Sequence, residues 1–578
     1  MHTPAGPVDA AGPVDAAGGR RSGTAWGWPD LLALVLVVVP FAIAGVRSVR
    51  FPDTLPLGDI AALDIDSRMA RSSLPLLGNY SQYGFRHPGP VFIWWMAAFR
   101  AVVDTTSAFT LAMVLLQLCL LLLGLVVVRR RWSRPGAVAA AALMGWYLVL
   151  VGWNVVALPW NPVVALVGVP VLVVAATAAW SGDRLATVAV VVVATVLVQS
   201  HIGNTSMAAV ALLLVVTAHV AGRPRPRAEL LRTWLIAVLA VLPLWIGPVV
   251  EQVRHGSDGN VAAILEFSAS GPVAHTGLRP AVAAGLRALR VRPMWLGGTI
   301  AQDAVPDRGT PLWLGVVAIA IAACGVVRLR WSRRGHRGSS PGRRSVRDLV
   351  RDLDPPVVAV VVAAAALAAG VLMLGLGRGP VRSYTTFHLE AAAFALVAST
   401  GWLVASTGWL VASTGRLEAT AGLAARTAAV LGWAALAGAT AVLGWQAVRD
   451  LHPQPAFDRH DPAITAVVEE LRRTGGRVVV SRSNEPGQPP EFGVTIGVVD
   501  ALQDAGLDVR VGPDRDPGTG ERTSDGIRVA VPAALQVDGA RRDDLDVVVL
   551  SGDTSAAPAG WRRVGTVAPG LTVWIRPT

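Results

Sequence analysis

The sequence predicts a polytopic α-helical membrane protein of about eleven transmembrane helices, followed by a small α/β domain. Three observations predict it. The 578-residue chain is 53% hydrophobic and only 16% charged, more apolar than a soluble domain. Several uncharged runs approach the ~20 residues that cross a hydrocarbon core about 30 Å thick. From residue 448 onward the sequence becomes charged and rich in turns, as in GPDRDPGTGERTSDG.

Residues 1–28 contain the repeat AGPVDAAGPVDA and read as a disordered cytoplasmic tail. The apolar run 29–49 is too long for a signal-peptide core and is kept as an anchor. Further spans are expected at 107–128, 136–152, 162–180, 185–200, 207–221, 233–250, 311–327, 356–376, 391–412 and 427–446, so the membrane domain covers 29–447. The chain has no lysine, and its Ala/Val/Gly/Arg bias suggests a GC-rich bacterial genome. A formal charge of +12 would point to nucleic acid in a soluble protein. Here the arginines lie in short loops between apolar runs, so membrane topology accounts for them and no nucleic-acid partner is expected. Cys119 and Cys324 both fall inside apolar runs and predict neither a disulfide framework nor a metal cluster.

With the N-terminus cytoplasmic, the arginines of 129–134, 184, 223–232, 328–351 and 416–426 all face the cytoplasm, as the positive-inside bias requires. This holds only if 90–103 does not cross the bilayer, because a crossing would turn Arg129–Arg131 outward. That stretch is therefore expected to lie along the outer interface, with Trp94 and Trp95 at headgroup level. An odd number of spans then places residues 448–578 outside the plasma membrane. In this domain, helices at 464–473 and 492–505 alternate with strands at RVVVS, DVRVG, GIRVAV, DLDVVVL and LTVWIRP. It carries no Gly-rich phosphate loop, nucleophile elbow or Cys/His cluster, so no chemistry is assigned to it. The heptad repeat VASTGWLVASTGWLVASTGRL, from Val397, reads either as a helix-packing stripe of small residues or as a duplication in a tolerant segment.

Two long outer loops result, 50–106 and 251–310, and ordered loops of that length are usually functional. A helix starting after Gly58 would place Asp59 and Asp66 on one face, seven residues apart, with Asp64 about 140° away. A carboxylate at a membrane surface can take the proton of an attacking hydroxyl or hold a divalent cation against a phosphate leaving group. The same loop carries Tyr80, Tyr83, Arg86 and His87 in GNYSQYGFRHPGPVFIWW. Trp160 and Asn161, Gln199 and His201, Glu266 and Trp295, and Tyr384 and His388 fall in the following outer loops. Polar groups at span ends tend to face protein or a water-filled cavity. Here rings could stack on a sugar, amides could bond its hydroxyls, and Arg86, Arg254 and Arg382 could hold a phosphate. Plainer roles stand beside these: belt anchors for the tryptophans, a helix cap for His201, headgroup contact for Arg86, and a local pair with Arg68 for Asp66.

The order of these pieces resembles the GT-C class of integral membrane glycosyltransferases. The matching residues are Gly58-Asp59 after the first span, His87-Pro88-Gly89-Pro90 leading into VFIWWMAAFRAVV, and then TLAMVLLQLCLLLLGLVVV. It is most similar to actinobacterial GT-C-like membrane proteins with a GD…YS…HPGP first loop, closely over about 80 residues and loosely elsewhere. The resemblance implies a polyprenyl-phosphate-sugar donor, a cell-envelope glycan or glycolipid acceptor, and Asp59 as catalytic base. The class often shows a second acid beside the first or in the next outer loop. Here NVVALPWNP has none, which leaves Asp64 or Asp66 to substitute, a single-carboxylate mechanism, or a scaffold that keeps the fold without the activity. A transporter is disfavoured, because matching broken helices and mid-span ionisable residues are few.

Overall fold

The computed structural model describes residues 27–289 and 353–577 apart from short gaps, with isolated residues between 290 and 352. Helix α1 (Trp28–Ser48) leads through strand β1 (Thr54–Pro56) to α2 (Gly58–Met69), then to α3 (Val91–Val102) and α4 (Ser107–Arg131). The bundle continues with α5 (Arg134–Val151), a single turn α6 (Trp153–Val156), α7 (Ala165–Trp180), α8 (Arg184–Ser200), α9 (Thr205–Thr217) and α10 (Arg227–His255). Next come α11 (Asn260–Ser270), α12 (Leu278–Ala288), α13 (Pro355–Leu376), α14 (Phe387–Ala412) and α15 (Glu418–Arg449). Eight helical stretches among the described residues are long and apolar enough to cross a membrane. Leu231, Leu235, Leu239 and Leu242 of α10 are exposed, a face suited to lipid.

Ion pairs show which helix ends share a face. Asp30 at the start of α1 accepts from Arg129 Nε at 2.8 Å, at the end of α4, and from Arg134 Nε at 3.1 Å, at the start of α5. Arg184 Nη2 at the start of α8 meets Glu229 near the start of α10 at 2.6 Å. This basic face therefore holds the beginning of α1 and the end of α4, so α1 ends and α4 begins at the opposite face, with α2 and α3 between them. The 12 residues of α3 reach only ~18 Å at 1.5 Å per residue, too short to cross. Its two tryptophans are anchored to protein: Trp94 Nε1 donates to Pro75 O at 3.1 Å and Trp95 Nε1 to Ala112 O at 2.7 Å. The expected spans 136–152 and 185–200 are shorter apolar helices, α5 and α8, that still begin on the basic face. The expected span 311–327 lies mostly outside the described residues.

In the heptad repeat, Thr400 and Thr407 are buried and bond back to Leu396 O and Leu403 O at 2.8 and 2.7 Å. Gly401 is exposed with open space where a Cβ would stand, so this glycine provides no close helix contact.

The remaining elements form an α/β unit: β2 (Ala456–Asp458), α16 (Pro462–Thr474), β3 (Arg477–Arg482), α17 (Pro490–Asp504), β4 (Val509–Val511), β5 (Asp514–Arg515), β6 (Arg522–Ser524), β7 (Asp544–Ser551), β8 (Arg562–Ala568) and β9 (Leu571–Pro577). The main sheet has the order β4-β3-β7-β9-β8. β3 runs parallel to β4 and β7, whereas β9 runs antiparallel to β7 and β8. Strand β8 was not expected, because RRVGTVA lacks a clean alternation of apolar and polar residues. Residues 525–529, most of the expected strand GIRVAV, are outside the described residues.

Helix α2 belongs physically to this unit. Ala61, Ala62 and Ile65 join the same apolar core as Ile464, Val498 and Leu502. β1 pairs antiparallel with β2, Thr54 opposite Asp458 and Pro56 opposite Ala456. Gly58, at φ +57, brings its backbone against Gly493 of α17, where a Cβ on either would lie 3.6 Å from the other's Cα. The first inter-helix loop and the α/β unit therefore occupy the same face of the bundle, opposite the basic one.

Candidate functional site

Asp59 is the second residue of α2, directly after the positive-φ turn at Gly58. Facing it, residues 78–87 form a small hairpin. Gly78 N donates to His87 O (3.0 Å), His87 N to Asn79 O (2.8 Å) and Ser81 N to Phe85 O (2.8 Å), with Gly84 in the turn at φ +86. Tyr80 and Arg86 face each other across it, and cross-strand partners project to the same side. Tyr80 donates its hydroxyl to Asp59 Oδ1, and Arg86 Nη1 donates to Asp66 Oδ2 at 3.0 Å. The helix spacing and the hairpin register thus match, one carboxylate to each partner.

Trp160 also donates to Asp59, and its ring sits 5.0 Å from that of Tyr384. Tyr384 lies within electrostatic reach of Asp59, Tyr83 and Arg382. Of the chain's four tyrosines, Tyr80 bonds Asp59, Tyr384 stands within its reach and Tyr83 adjoins Tyr384. Tyr83, at the hairpin tip, stacks on Phe267 at 4.5 Å, and its hydroxyl abuts Gly379, where a Cβ would come within 2.5 Å. Asn260 fixes the hairpin from outside, accepting from Arg86 N at 2.7 Å and donating to Arg86 O at 2.8 Å.

Burial raises Asp59 above the ordinary carboxylate value, although the bonds from Tyr80 and Trp160 oppose it. Burial likewise raises Asp66 against the charge and hydrogen bond of Arg86. Tyr80 is pushed well above the usual tyrosine range by burial and by the Asp59 charge, so it remains a donor. Arg86 Nη2 is buried and has no partner among the described residues. The guanidinium can therefore bind Asp66 with one arm and an anion with the other.

The other expected site residues divide into two groups. His87, His201 and His388 pack beside the hairpin; the His87 and His201 rings are 4.6 Å apart. Burial and the Arg86 charge depress His87 to about 3, and burial together with the two neighbouring imidazoles depresses His201 well below its ordinary value. These two rings are neutral at pH 7 and act as acceptors, His87 Nδ1 from Ile202 N (3.3 Å) and His201 Nδ1 from Gly203 N (3.2 Å). For His201 the cap role is the one seen. Gln199 and Asn161 hold the bundle together. Gln199 Oε1 accepts from Val91 N at the start of α3 (3.3 Å), its Nε2 donates to Leu244 O (2.8 Å), and Asn161 Nδ2 donates to Ser200 O (2.7 Å).

Asp64 points away from Asp59 and is taken by Arg100 Nε at 2.9 Å, with both side chains buried. Arg68 does not pair with Asp66. It reaches Asp500 and, at 3.1 Å, Asp504 of α17, and lies 3.8 Å from Asp64. The reason is helical phase: Arg68 shares the face of Asp64, which packs on the α/β unit. Arg100, Asp500 and Asn260 carry no sequence signal, since their partners are 36, 432 and 174 positions away. Among the described residues no group of three or more His, Cys, Asp or Glu side chains could hold a metal ion. Trp295 lies outside the described residues.

Fold and site together define a polytopic membrane protein in which a half-buried carboxylate stands among aromatic side chains, with an arginine on the facing hairpin. No protein-family model matches the chain, and no curated protein sequence matches it. Among solved structures it is similar to ArnT from Cupriavidus metallidurans bound to undecaprenyl phosphate, at 15% identity and a TM-score of 0.48, over 95% of this chain and 98% of that one. The apo state of the same protein gives 14% and 0.49, over 94% and 97%. An oligosaccharyltransferase from Archaeoglobus fulgidus gives 11% and 0.37, over 82% and 64%. The functional reading rests on the site geometry, with these likenesses set beside it.

Proposed function

We propose that the protein is a GT-C class glycosyltransferase that moves a sugar from a polyprenyl-phosphate carrier to a cell-envelope glycan or glycolipid. The observation that carries the proposal is the pairing of Asp59 with Tyr80 and Trp160 beside a half-used Arg86. Asp59 accepts the proton as the acceptor hydroxyl attacks the anomeric carbon. The bond from that carbon to the phosphate oxygen breaks, and the phosphate leaves with the electron pair, its charge balanced by the open arm of Arg86. Attack opposite the leaving group inverts the anomeric centre. Tyr83, Trp160 and Tyr384 supply ring faces for the sugar. The site would face the outside of the plasma membrane, with the N-terminus and the basic face cytoplasmic.

The test is release of polyprenyl phosphate from polyprenyl-phosphate sugars by the purified protein in nanodiscs. Asp59→Asn should bind donor and fail to turn over. An Asp59→Asn protein with full turnover would overturn Asp59 as the base, and a wild-type protein that releases no polyprenyl phosphate would overturn the enzyme reading and leave a scaffold.

A further inference from the structure

We propose a second lipid site at the α1–α15 seam, taking an anionic diacyl phospholipid. A groove of about 680 Å³ lies there, lined by Val39, Ala42, Ile43, Val46 and Val448, with Arg47, Arg50, Phe51, Pro52 and Pro453 at the end nearer the α/β unit. Its apolar wall opens outward: Val39, Val46 and Val448 are 41%, 52% and 48% exposed. Such a wall on bundle helices is matched by acyl chains.

Charge selects the headgroup. Arg47 Nε donates to Leu451 O at 2.9 Å, which pins the stem and leaves the terminal nitrogens for a ligand. Neither Arg47 nor Arg50 pairs with a carboxylate among the described residues, and no acid lines the groove. At the basic face, by contrast, Arg129, Arg134 and Arg184 each meet Asp30 or Glu229. Two arginines without a carboxylate partner at the mouth of an apolar groove fit a phosphodiester above two chains, the same charge pairing by which basic pockets between helices on the cytoplasmic side hold headgroups. The position suggests a purpose. Residues 49–53 and 450–455 connect the bundle to the α/β unit, so a phosphate here would hold both connections. None of the lining residues is one of the residues placed around Asp59, so this site is separate from the one proposed for the donor.

The experiment counts lipids retained by the full chain, by native mass spectrometry, after transfer from nanodiscs containing phosphatidylcholine with or without phosphatidylglycerol. Wild type should retain phosphatidylglycerol preferentially, and Arg47→Gln/Arg50→Gln should retain it about 30-fold less, at roughly fivefold per arginine. Ala42→Trp, which fills the groove and keeps both arginines, should lose it as well. Phosphatidylglycerol should raise the wild-type melting temperature and inorganic phosphate should not. Equal retention of the two lipids, unchanged retention in both variants, stabilisation by phosphate alone, or displacement of phosphatidylglycerol by polyprenyl phosphate or by a second copy of the chain would each overturn the proposal.

Discussion

Tyr80 and Arg86 face each other across one hairpin, and each takes one of two carboxylates, Asp59 and Asp66, that stand two turns apart on α2. The two roles differ. Arg86 neutralises Asp66 directly, whereas Asp59 receives only neutral hydrogen bonds. Asp59 is thus the carboxylate left able to take a proton.

Asp59→Asn and Asp64→Asn should therefore fail differently. The first should lose roughly 10²–10⁴ in turnover with little change in melting temperature. The second leaves Arg100 with only the exposed Asp104 as its acid partner and should cost about 1–3 kcal/mol of stability, with turnover per folded molecule retained. Thermal unfolding measured beside donor turnover separates the two.

Tyr80→Phe should move the acid limb of kcat/KM to higher pH. The Tyr80 bond favours ionised Asp59, so its loss raises a pKa that burial has already raised. A base works only when ionised, so the variant should be impaired most at low pH and recover as pH rises. An unshifted profile would show that Asp59 does not set that limb.

Gly89→Ala should destabilise by about 1–3 kcal/mol. The new Cβ would meet Gln199 Cδ at 2.3 Å, and Gln199 is held at both ends of its amide. Gln199→Ala in the same chain should relieve most of that added cost, which a double-mutant cycle would read as coupling between the two sites.

Arg68→Met should loosen α2, and Asp59 with it, from the α/β unit, although Arg68 itself does not contact Asp59. It strips the cation from Asp500, whose pKa is pushed well above the ordinary value by burial and by Asp64. A carboxyl raised in the folded state binds its proton more tightly there, so its stabilising contribution is present at low pH and is lost as pH rises through the raised value. The melting deficit of the variant should therefore shrink on acidification from neutral pH. Hydrogen exchange of residues 58–69 should quicken at pH 7, and the loss should fall on kcat more than on KM.

The sequence made legible what depends on local spacing. Gly58-Asp59 requires a sharp turn into a helix, and a seven-residue interval puts two carboxylates on one face. The arginines at 129–131 require that α3 not cross, and the Asp30–Arg129 pair agrees. Long-range choices were hidden. Nothing near Asp64 or Arg68 points to Arg100 or Asp500, and nothing in GDIAALDID says that its alanines fill the core of a domain assembled from residues after 455. Gln199 looked like a sugar ligand because a buried amide at a span end serves equally well as a cap for α3, and only its partners distinguish the two roles.

The seating of α2 in that distant core also has a consequence in time. Arg68 and Asp500 are 432 positions apart, so a ribosome finishes the whole bundle before α17 exists to receive α2. Until then Ala61, Ala62 and Ile65 lack the α/β side of their core, and α2 is held only from α3 and the hairpin, through Arg100–Asp64 and Arg86–Asp66. A nascent chain stalled after α15 would carry every residue of the site and yet lack the surface that seats α2, so full competence arrives with the last-made part of the molecule.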